Sequence, residues 1–429
     1  MKVALVCDWL TNVGGAEKVL LELHQIYPKA PIYTSKYDPK GIDWFKDADV
    51  RTGWLQVFPS GLRRFLGPFR QWYFSHLDLS GYDLIISVTG AEAKSVKSGK
   101  WLHEHGKKNV KNPNGLHISY CHVPTQYYWQ MYDDYVKNPG FGVLNPLVRF
   151  FFKLFVRPLR SADFKAAQRV DSFVTISDYA KKAIKRYYGR EAIVIHPPVE
   201  IETFAGRALS VFRGRGSSRP SSRDSDPSSL GRDLRKPLNN TKCSSDNYSI
   251  GFSDVLRKSI ECHTPYYIVT SRQVNWKRID IAIDACMMTQ RKLLVVGEGP
   301  EHKKLVKMAK GTDLVEFIPL VGKNDLASLL AEAKGYLFPS LEPFGIAPVE
   351  ALATGCPVIA YGEGGALDYV IPEKNGLLFK KQTAKSMAEA ILKFEKMKFD
   401  RKKISESVKD YTVKRFDKEI KGFVDEKFK

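Results

Sequence analysis

Short apolar runs alternate with amphipathic segments through the first two hundred residues. The segment 16–27 spaces its apolar residues Val19, Leu20, Leu23 and Ile26 as a helix with one buried face would. The apolar runs have the length of buried strands, and they lie at 1–7, 82–89, 117–123, 172–177 and 192–198. Strands that alternate with helices in this way predict a parallel sheet with helices on both faces.

The same alternation restarts after residue 264. Helical segments such as 280–288 and 325–334 separate a second series of short apolar runs. These runs lie at 266–271, 292–299, 315–321, 335–340 and 357–361. The sequence therefore predicts an α/β fold with two doubly wound, Rossmann-like domains, which face each other across a cleft.

The segment 205–263 interrupts this pattern. It is rich in Ser, Arg, Gly and Pro and poor in aromatic residues, which is typical of a disordered insertion. Asp224 and Asp226 resemble a metal-binding Asp-x-Asp pair, but no strand precedes them, so we expect no metal site there. The predicted domains are thus 1–204 and 264–411.

Composition narrows the class of protein. A chain of 429 residues with 43% hydrophobic residues can bury two cores, and no apolar run approaches the length of a membrane-spanning helix. The N-terminal MKVALVCDWL is too short in its apolar part for a signal peptide and fits a first strand. Six scattered cysteines without a CxxC pair favour a reducing compartment and no zinc site.

The formal net charge of +20 implies an anionic partner. No nucleic-acid-binding motif is present in the sequence, so nucleic acid is not expected. The stretches 58–74 and 148–160 mix bulky aromatic residues with Arg and Lys, a composition suited to the surface of an anionic bilayer. The alternative is that both stretches form core helices with solvated charges.

The stretch EPFGIAPVE places two acids, Glu342 and Glu350, on either side of a predicted helix start. Pro348 is tolerated only in the first turn of a helix, so the helix should begin at about Gly345 to Ala347. The free backbone N–H groups of that turn form an anion site with an acid on either side. The simpler alternative is that Glu350 complements the helix dipole and Glu342 is solvated.

Candidate ligand-binding residues follow other predicted strands. Gly14 and Gly15 open a helix after the first strand, and His122 ends another strand. Arg272 and Lys277 lie in the loop after the first strand of the second domain. Each could be structural or solvated by itself, but together they suit a diphosphate held between two domains.

These residues occur in motifs that resemble the retaining glycosyltransferases of family 4, which have the GT-B fold. The matching stretches include VGGAEKV, YCHVPTQYYWQMYDDY, SRQVNWKRID, VVGEGPE and FPSLEPFGIAPVEALATGCPVIAYGEGGALDYV. The resemblance covers 1–204 and 264–429, and within the family the chain resembles bacterial mannosyltransferases of O-antigen and exopolysaccharide assembly. The insertion departs from the family, whose members have a short linker there.

The resemblance implies roles for the polar side chains. Arg272 and Lys277 would neutralise the diphosphate of the donor, which is the leaving group. Glu342 would hydrogen-bond hydroxyls of the transferred sugar, and Glu350 would bind the ribose. His122 would meet the donor sugar from the first domain.

The resemblance also implies roles for the backbone. The chain at Phe344, Gly345 and Ile346 would assist in holding the sugar, and Gly14 and Gly15 would line the acceptor and phosphate side. The last helix, within 412–429, would pack back on the first domain. No metal or other cofactor is expected.

The expected activity is transfer of a hexose with retention of configuration. By resemblance the donor is GDP-mannose, the acceptor is lipid-linked or a glycan, and the enzyme works on the inner face of a bacterial membrane during surface polysaccharide synthesis. A UDP-sugar donor, or a nucleotide-sugar epimerase of the same fold, is an alternative. A non-enzymatic protein that binds anionic surfaces is the alternative from another class.

Overall fold

The computed structural model describes residues 1–59, 66–137, 142, 145–206 and 265–429. The predicted insertion therefore lies outside the described residues from 207 onward, together with Asp224 and Asp226. Arg63 and Arg64 of the basic aromatic stretch also lie outside them.

The first domain is built on a seven-stranded sheet with the order β3-β2-β1-β4-β5-β6-β7, and every paired strand is parallel. The order reverses between β1 and β4, which places a crevice at their carboxyl ends. The strands are β1 (Val3–Cys7), β2 (Ile32–Thr34), β3 (Val50–Arg51), β4 (Leu84–Thr89), β5 (Leu116–Cys121), β6 (Ser172–Thr175) and β7 (Ala192–Val194).

The second domain has a six-stranded parallel sheet with the order β10-β9-β8-β11-β12-β13. Its reversal point lies between β8 and β11. The strands are β8 (Tyr266–Thr270), β9 (Lys292–Val296), β10 (Val315–Ile318), β11 (Gly335–Phe338), β12 (Val358–Tyr361) and β13 (Gly376–Phe379).

Helices connect the strands in both domains. In the first they are Gly15–Ile26, Gly67–His76, Gly99–Glu104, Tyr132–Lys137, Asn145–Gln168 and Asp178–Tyr188. After the first strand of the second domain they are Ile279–Thr289, His302–Met308, Lys323–Glu332, Ile346–Ala353, Ala366–Tyr369, Ala384–Phe394, Arg401–Glu406 and Val413–Lys427. The two doubly wound parallel sheets confirm the predicted fold class.

The last helix, Val413–Lys427, lies against the first domain although it follows the second in the chain. The ring of Phe416 meets that of Tyr120 at 5.8 Å between centroids. The Arg415 guanidinium donates a hydrogen bond of 3.0 Å to the carbonyl of His196. The helix therefore returns the chain from the second domain to the first.

Within the described ranges, none of the helices is both long enough and apolar enough to cross a bilayer.

Candidate active site between the two domains

A cavity of about 570 Å³ lies between the carboxyl ends of the two sheets. This is the size of a site for a ligand such as a nucleotide, and it is where doubly wound sheets bind ligands. The predicted site residues on its wall are Gly15, His122, Lys277, Glu342, Phe344, Gly345 and Ile346. Gly14, Arg272 and Glu350 lie beside the cavity but outside its lining.

The helix Ile346–Ala353 begins at the cavity wall, at the start expected from Pro348. Its N-cap Gly345 has φ of 91°, a conformation that favours glycine. A Cβ atom there would lie 2.7 Å from the Phe338 ring and 2.9 Å from the Tyr369 hydroxyl. Glycine is therefore required, and its absence of a side chain lets the first turn present its backbone N–H groups to the cavity.

Lys277 and Glu342 meet at the cavity wall. The Lys277 ammonium lies 2.6 Å from Oε1 of Glu342, which also accepts a hydrogen bond of 2.8 Å from the Ser340 hydroxyl. The ammonium also lies 4.5 Å from the centre of the Trp276 ring, a cation–π distance. One cation and one acid thus stand beside a helix N-terminus, an arrangement that can neutralise a phosphate and bind a hydroxyl.

Glu350 is buried and pairs with the first domain. The Lys18 ammonium lies 3.2 Å from its Oε1. The domains also touch at Gly15, where a Cβ atom would lie only 3.2 Å from Cδ1 of Ile346. A side chain at Gly15 would therefore require the Ile346 side chain to shift by a few tenths of an ångström.

His122 follows β5 and faces the cavity from the first domain. Its Nε2 is buried and finds no hydrogen-bond partner in the described part of the chain. Burial lowers the pKa of His122 to about 4, so the imidazole is neutral at pH 7. A neutral ring with an unused nitrogen in a cavity can hydrogen-bond a hydroxyl of a ligand.

Arg272 is exposed in the loop after β8, and no ion pair or hydrogen bond of its side chain is found in the described ranges. Its guanidinium can therefore turn toward a ligand without breaking an existing contact.

Sequence reasoning missed several residues of the first-domain wall, among them Asp8 and Trp9. Asp8 accepts hydrogen bonds from the backbone of Gly90 at 3.0 Å and Ala93 at 2.7 Å, so it ties the loop after β4 to the end of β1. Burial, and next the charge of Glu92, raise the pKa of the Asp8 carboxyl. The position of Asp8 directly after a strand was a usable signal, but its partners are far away in sequence.

The comparisons with known proteins agree with this architecture. Residues 256–411 match the family described as glycosyl transferases group 1. An uncharacterized glycosyltransferase of Methanocaldococcus jannaschii is 32% identical over 142 residues, which are 32% of this chain and 40% of that protein. An alpha-1,3/1,6-mannosyltransferase of Mus musculus is 36% identical over 104 residues, or 23% of this chain and 25% of that protein.

The matched segments thus span two-fifths or less of these relatives. A crystal structure of an Anabaena protein in complex with UDP is similar over 99% of this chain and 100% of its own, with a TM-score of 0.63 and 18% identity. That likeness extends the fold match to both domains. The chain therefore has the two-domain GT-B fold, and its second domain matches the glycosyl transferases group 1 family.

Proposed function

We propose that this protein is a retaining glycosyltransferase that moves a hexose from a nucleotide sugar to an acceptor in glycan synthesis. One observation carries the proposal. The Lys277–Glu342 pair lies beside the first turn of the helix Ile346–Ala353, in a cavity that His122 faces from the other domain. A phosphate, a sugar hydroxyl and a reacting carbon can all be held there at once.

The chemistry asked of the protein is stabilisation of the departing diphosphate. Positive potential at the diphosphate comes from Lys277 and from the free N–H groups of the helix Ile346–Ala353. Arg272 adds to this potential once its loop has turned toward the ligand. Glu342 then exchanges its contact with Lys277 for sugar hydroxyls. His122, neutral at pH 7, offers Nε2 to another hydroxyl of the same sugar. A donor that fills the cavity would displace water, which could otherwise capture the sugar.

These side chains do the work that a divalent cation does in other transferases, so the proposed reaction needs no metal. The test is turnover in excess EDTA. Activity should survive the chelator, and complete loss that Mg²⁺ or Mn²⁺ restores would contradict this part of the proposal.

The proposed donor is GDP-mannose. The sequence resemblance to bacterial mannosyltransferases and the 36% identity with the mouse mannosyltransferase support it. A UDP-sugar is the second candidate, because the Anabaena protein of similar fold was also crystallised with UDP-glucose. A thermal-shift panel of GDP, UDP and ADP sugars separates the two, since a ligand at 100 times its dissociation constant stabilises by roughly 2.7 kcal/mol.

The proposed acceptor is lipid-linked, and the support comes from an exposed apolar row on the helix Asn145–Gln168. Phe150 is 63% exposed, Leu154 57% and Phe155 51%. Arg149, Lys153 and Arg157 lie on the same helix, and the last two are exposed. Large exposed apolar side chains beside cations are suited to the interface of an anionic bilayer.

A second exposed cluster is formed by Trp54 together with Phe69 and Trp72 of the helix Gly67–His76. The chain between these two surfaces carries two aromatic residues of the cavity wall, Tyr127 and Tyr135. Tyr132, which lies between them in the chain but does not line the cavity, packs on Phe152 of the long helix at 5.7 Å between ring centroids. A membrane that contacts both surfaces would bring a lipid-linked acceptor to the cleft, on the inner face of the cell membrane.

A further inference from the structure

Two aromatic side chains stand on the first-domain wall of the cavity, and one buried ion pair touches both. Trp9 and Tyr127 are partly exposed and line the cavity. Behind them lie Arg70, 4% exposed, and Glu92, 1% exposed. None of the four is among the residues to which the proposed donor chemistry gives a role.

Arg70 and Glu92 form a bidentate ion pair. Nε of Arg70 donates to Oε2 of Glu92 at 2.9 Å, and Nη2 donates to Oε1 at 3.2 Å. The same guanidinium lies 5.0 Å from the centre of the Trp9 ring. The Tyr127 hydroxyl donates to Oε1 of Glu92. One buried unit therefore fixes the orientation of both aromatic rings.

Removal of two charges from water is costly, and apolar residues of similar size often replace such a pair without loss of stability. Stability alone therefore gives no reason for charges at this place. The loop that carries Glu92 is in turn tied to the residue before Trp9, because Asp8 accepts hydrogen bonds from Gly90 and Ala93. The loop after β4 and the end of β1 thus hold the two rings in one fixed arrangement.

A fixed aromatic wall recognises a ring with an apolar face and polar edges, as a pyranose has. Tyr135 extends this wall, with its ring 6.0 Å from that of Tyr127. Gln126 on the same wall supplies an amide for hydroxyl groups. The opposite wall carries Lys277 and Glu342, so a sugar on Trp9 and Tyr127 would face the proposed donor site.

We propose that Trp9 and Tyr127 form the platform for an acceptor sugar, and that Arg70 and Glu92 are positioning residues that hold the platform. This inference rests on the proposed glycosyl transfer and deepens it. It makes the acceptor a saccharide, whose terminal sugar stacks on the platform, in place of a bare lipid phosphate.

The experiment uses octyl glucoside and octyl mannoside as saccharide probes, with saturation-transfer NMR on the full chain in the presence of GDP or UDP. For the wild type we expect saturation of the ring protons of at least one glycoside. Trp9→Ala should reduce that signal at least fivefold, and Trp9→Phe should keep most of it. A wild type without ring-proton saturation, or a Trp9→Ala variant with an unchanged signal, overturns the platform.

The positioning residues are tested by steady-state transfer to the same glycosides. Glu92→Gln should raise the KM for the glycoside about tenfold with a smaller change in kcat, and Tyr127→Phe should raise it less because the ring remains. An unchanged KM in Glu92→Gln overturns the positioning role. If Glu92→Gln does not fold, the Trp9 variants and Tyr127→Phe still decide the proposal, because their side chains are partly exposed.

Lys94→Met is the matched control. Lys94, which like Glu92 follows β4, forms another buried ion pair with Asp163, 2.6 Å apart. Asp163 contacts Thr125, Trp129 and Tyr188, which do not line the cavity, and Lys94 contacts the cavity wall through the backbone carbonyl of Ala91, not through an aromatic ring of the platform. The Lys94→Met substitution should change folding stability more than glycoside binding. Nucleotide binding, read as a melting shift, is scored separately. If the wild type binds no nucleotide, the result counts against the proposed transferase. If the wild type binds nucleotide but Trp9→Ala binds the glycoside as well as the wild type does, the result counts only against the platform.

Discussion

Lys18 and Glu350 join the two domains through an ion pair of 3.2 Å, although 332 positions separate them in the chain. The Lys18 ammonium thus contacts the same carboxylate that we propose binds the ribose hydroxyls of the nucleotide. Lysine and nucleotide would compete for Glu350, and the pair would hold the cleft closed before the nucleotide arrives.

Lys18→Met should therefore tighten nucleotide binding by about fivefold, because a partly buried ion pair of this kind contributes on the order of 1 kcal/mol. Isothermal titration with GDP and UDP measures the change. Lys323→Met is the control, since Lys323 pairs with Glu200 at 2.7 Å on an exposed surface and should leave affinity unchanged. Weaker binding in Lys18→Met would mean that Lys18 contacts the nucleotide itself.

The two acids should separate by function. Glu350→Gln should mainly weaken binding of the plain nucleotide, because Glu350 lies within the helix Ile346–Ala353 and outside the cavity lining that we propose holds the sugar. Glu342→Gln should mainly lower turnover of the sugar donor, because Glu342 lines the cavity beside Lys277. Titration with GDP or UDP and steady-state turnover measure the two effects. Loss of plain nucleotide binding only in the Glu342 variant would reverse the two roles.

Stability should fall as the pH drops from 6.5 toward 4. In the folded protein the pKa of His122 is about 4 and that of His117 about 3, both lowered by burial from 6.5. Between these values and 6.5 the unfolded chain binds more protons, so unfolding becomes easier as acid is added. The wild type should lose free energy of unfolding between pH 6.5 and 4.5, and His122→Gln should remove roughly 2–3 kcal/mol of that loss, measured by urea unfolding. An identical slope in wild type and variant would show that His122 does not titrate in this window.

Membrane binding should depend on the exposed apolar row. Replacement of Phe150, Phe151, Leu154 and Phe155 by Ser should release the protein from anionic liposomes in sedimentation assays, while donor binding stays intact. Leu320→Ser is a control, because Leu320 is 80% exposed but lies on the second domain. Binding of the wild type should weaken in high salt as the cations are screened. A wild type that ignores anionic liposomes at low salt would favour a soluble acceptor.

Local signals predicted most of the fold. Apolar runs such as 82–89 and 266–271 became strands, and Pro348 placed the helix start correctly. The strands Ile32–Thr34 and Val50–Arg51 were missed, because neither contains enough consecutive apolar residues to stand out as an apolar run. Tertiary pairing decides whether such short segments are strands.

The site was less predictable, because its side chains meet across long sequence separations. The strand-end rule indicated His122, Lys277 and Glu342, which line one cavity. It could not indicate that Lys18 pairs with Glu350, or that Arg70 meets Glu92 beneath Trp9. Those contacts depend on the packing of distant loops and on how the two domains face each other.

The most direct test of glycosyl transfer is turnover of a nucleotide sugar by Lys277→Ala. With the donor chosen by the thermal-shift panel, release of nucleoside diphosphate should fall by about 10² or more, because the lost charge acts mainly in the transition state. Release of nucleoside diphosphate by Arg272→Ala should fall by a comparable factor. Lys292→Ala is the control, since Lys292 forms a partly buried pair with Glu316 at 3.3 Å in the same domain, away from the cavity, and should keep turnover. Near-wild-type turnover in both Lys277→Ala and Arg272→Ala would contradict the account.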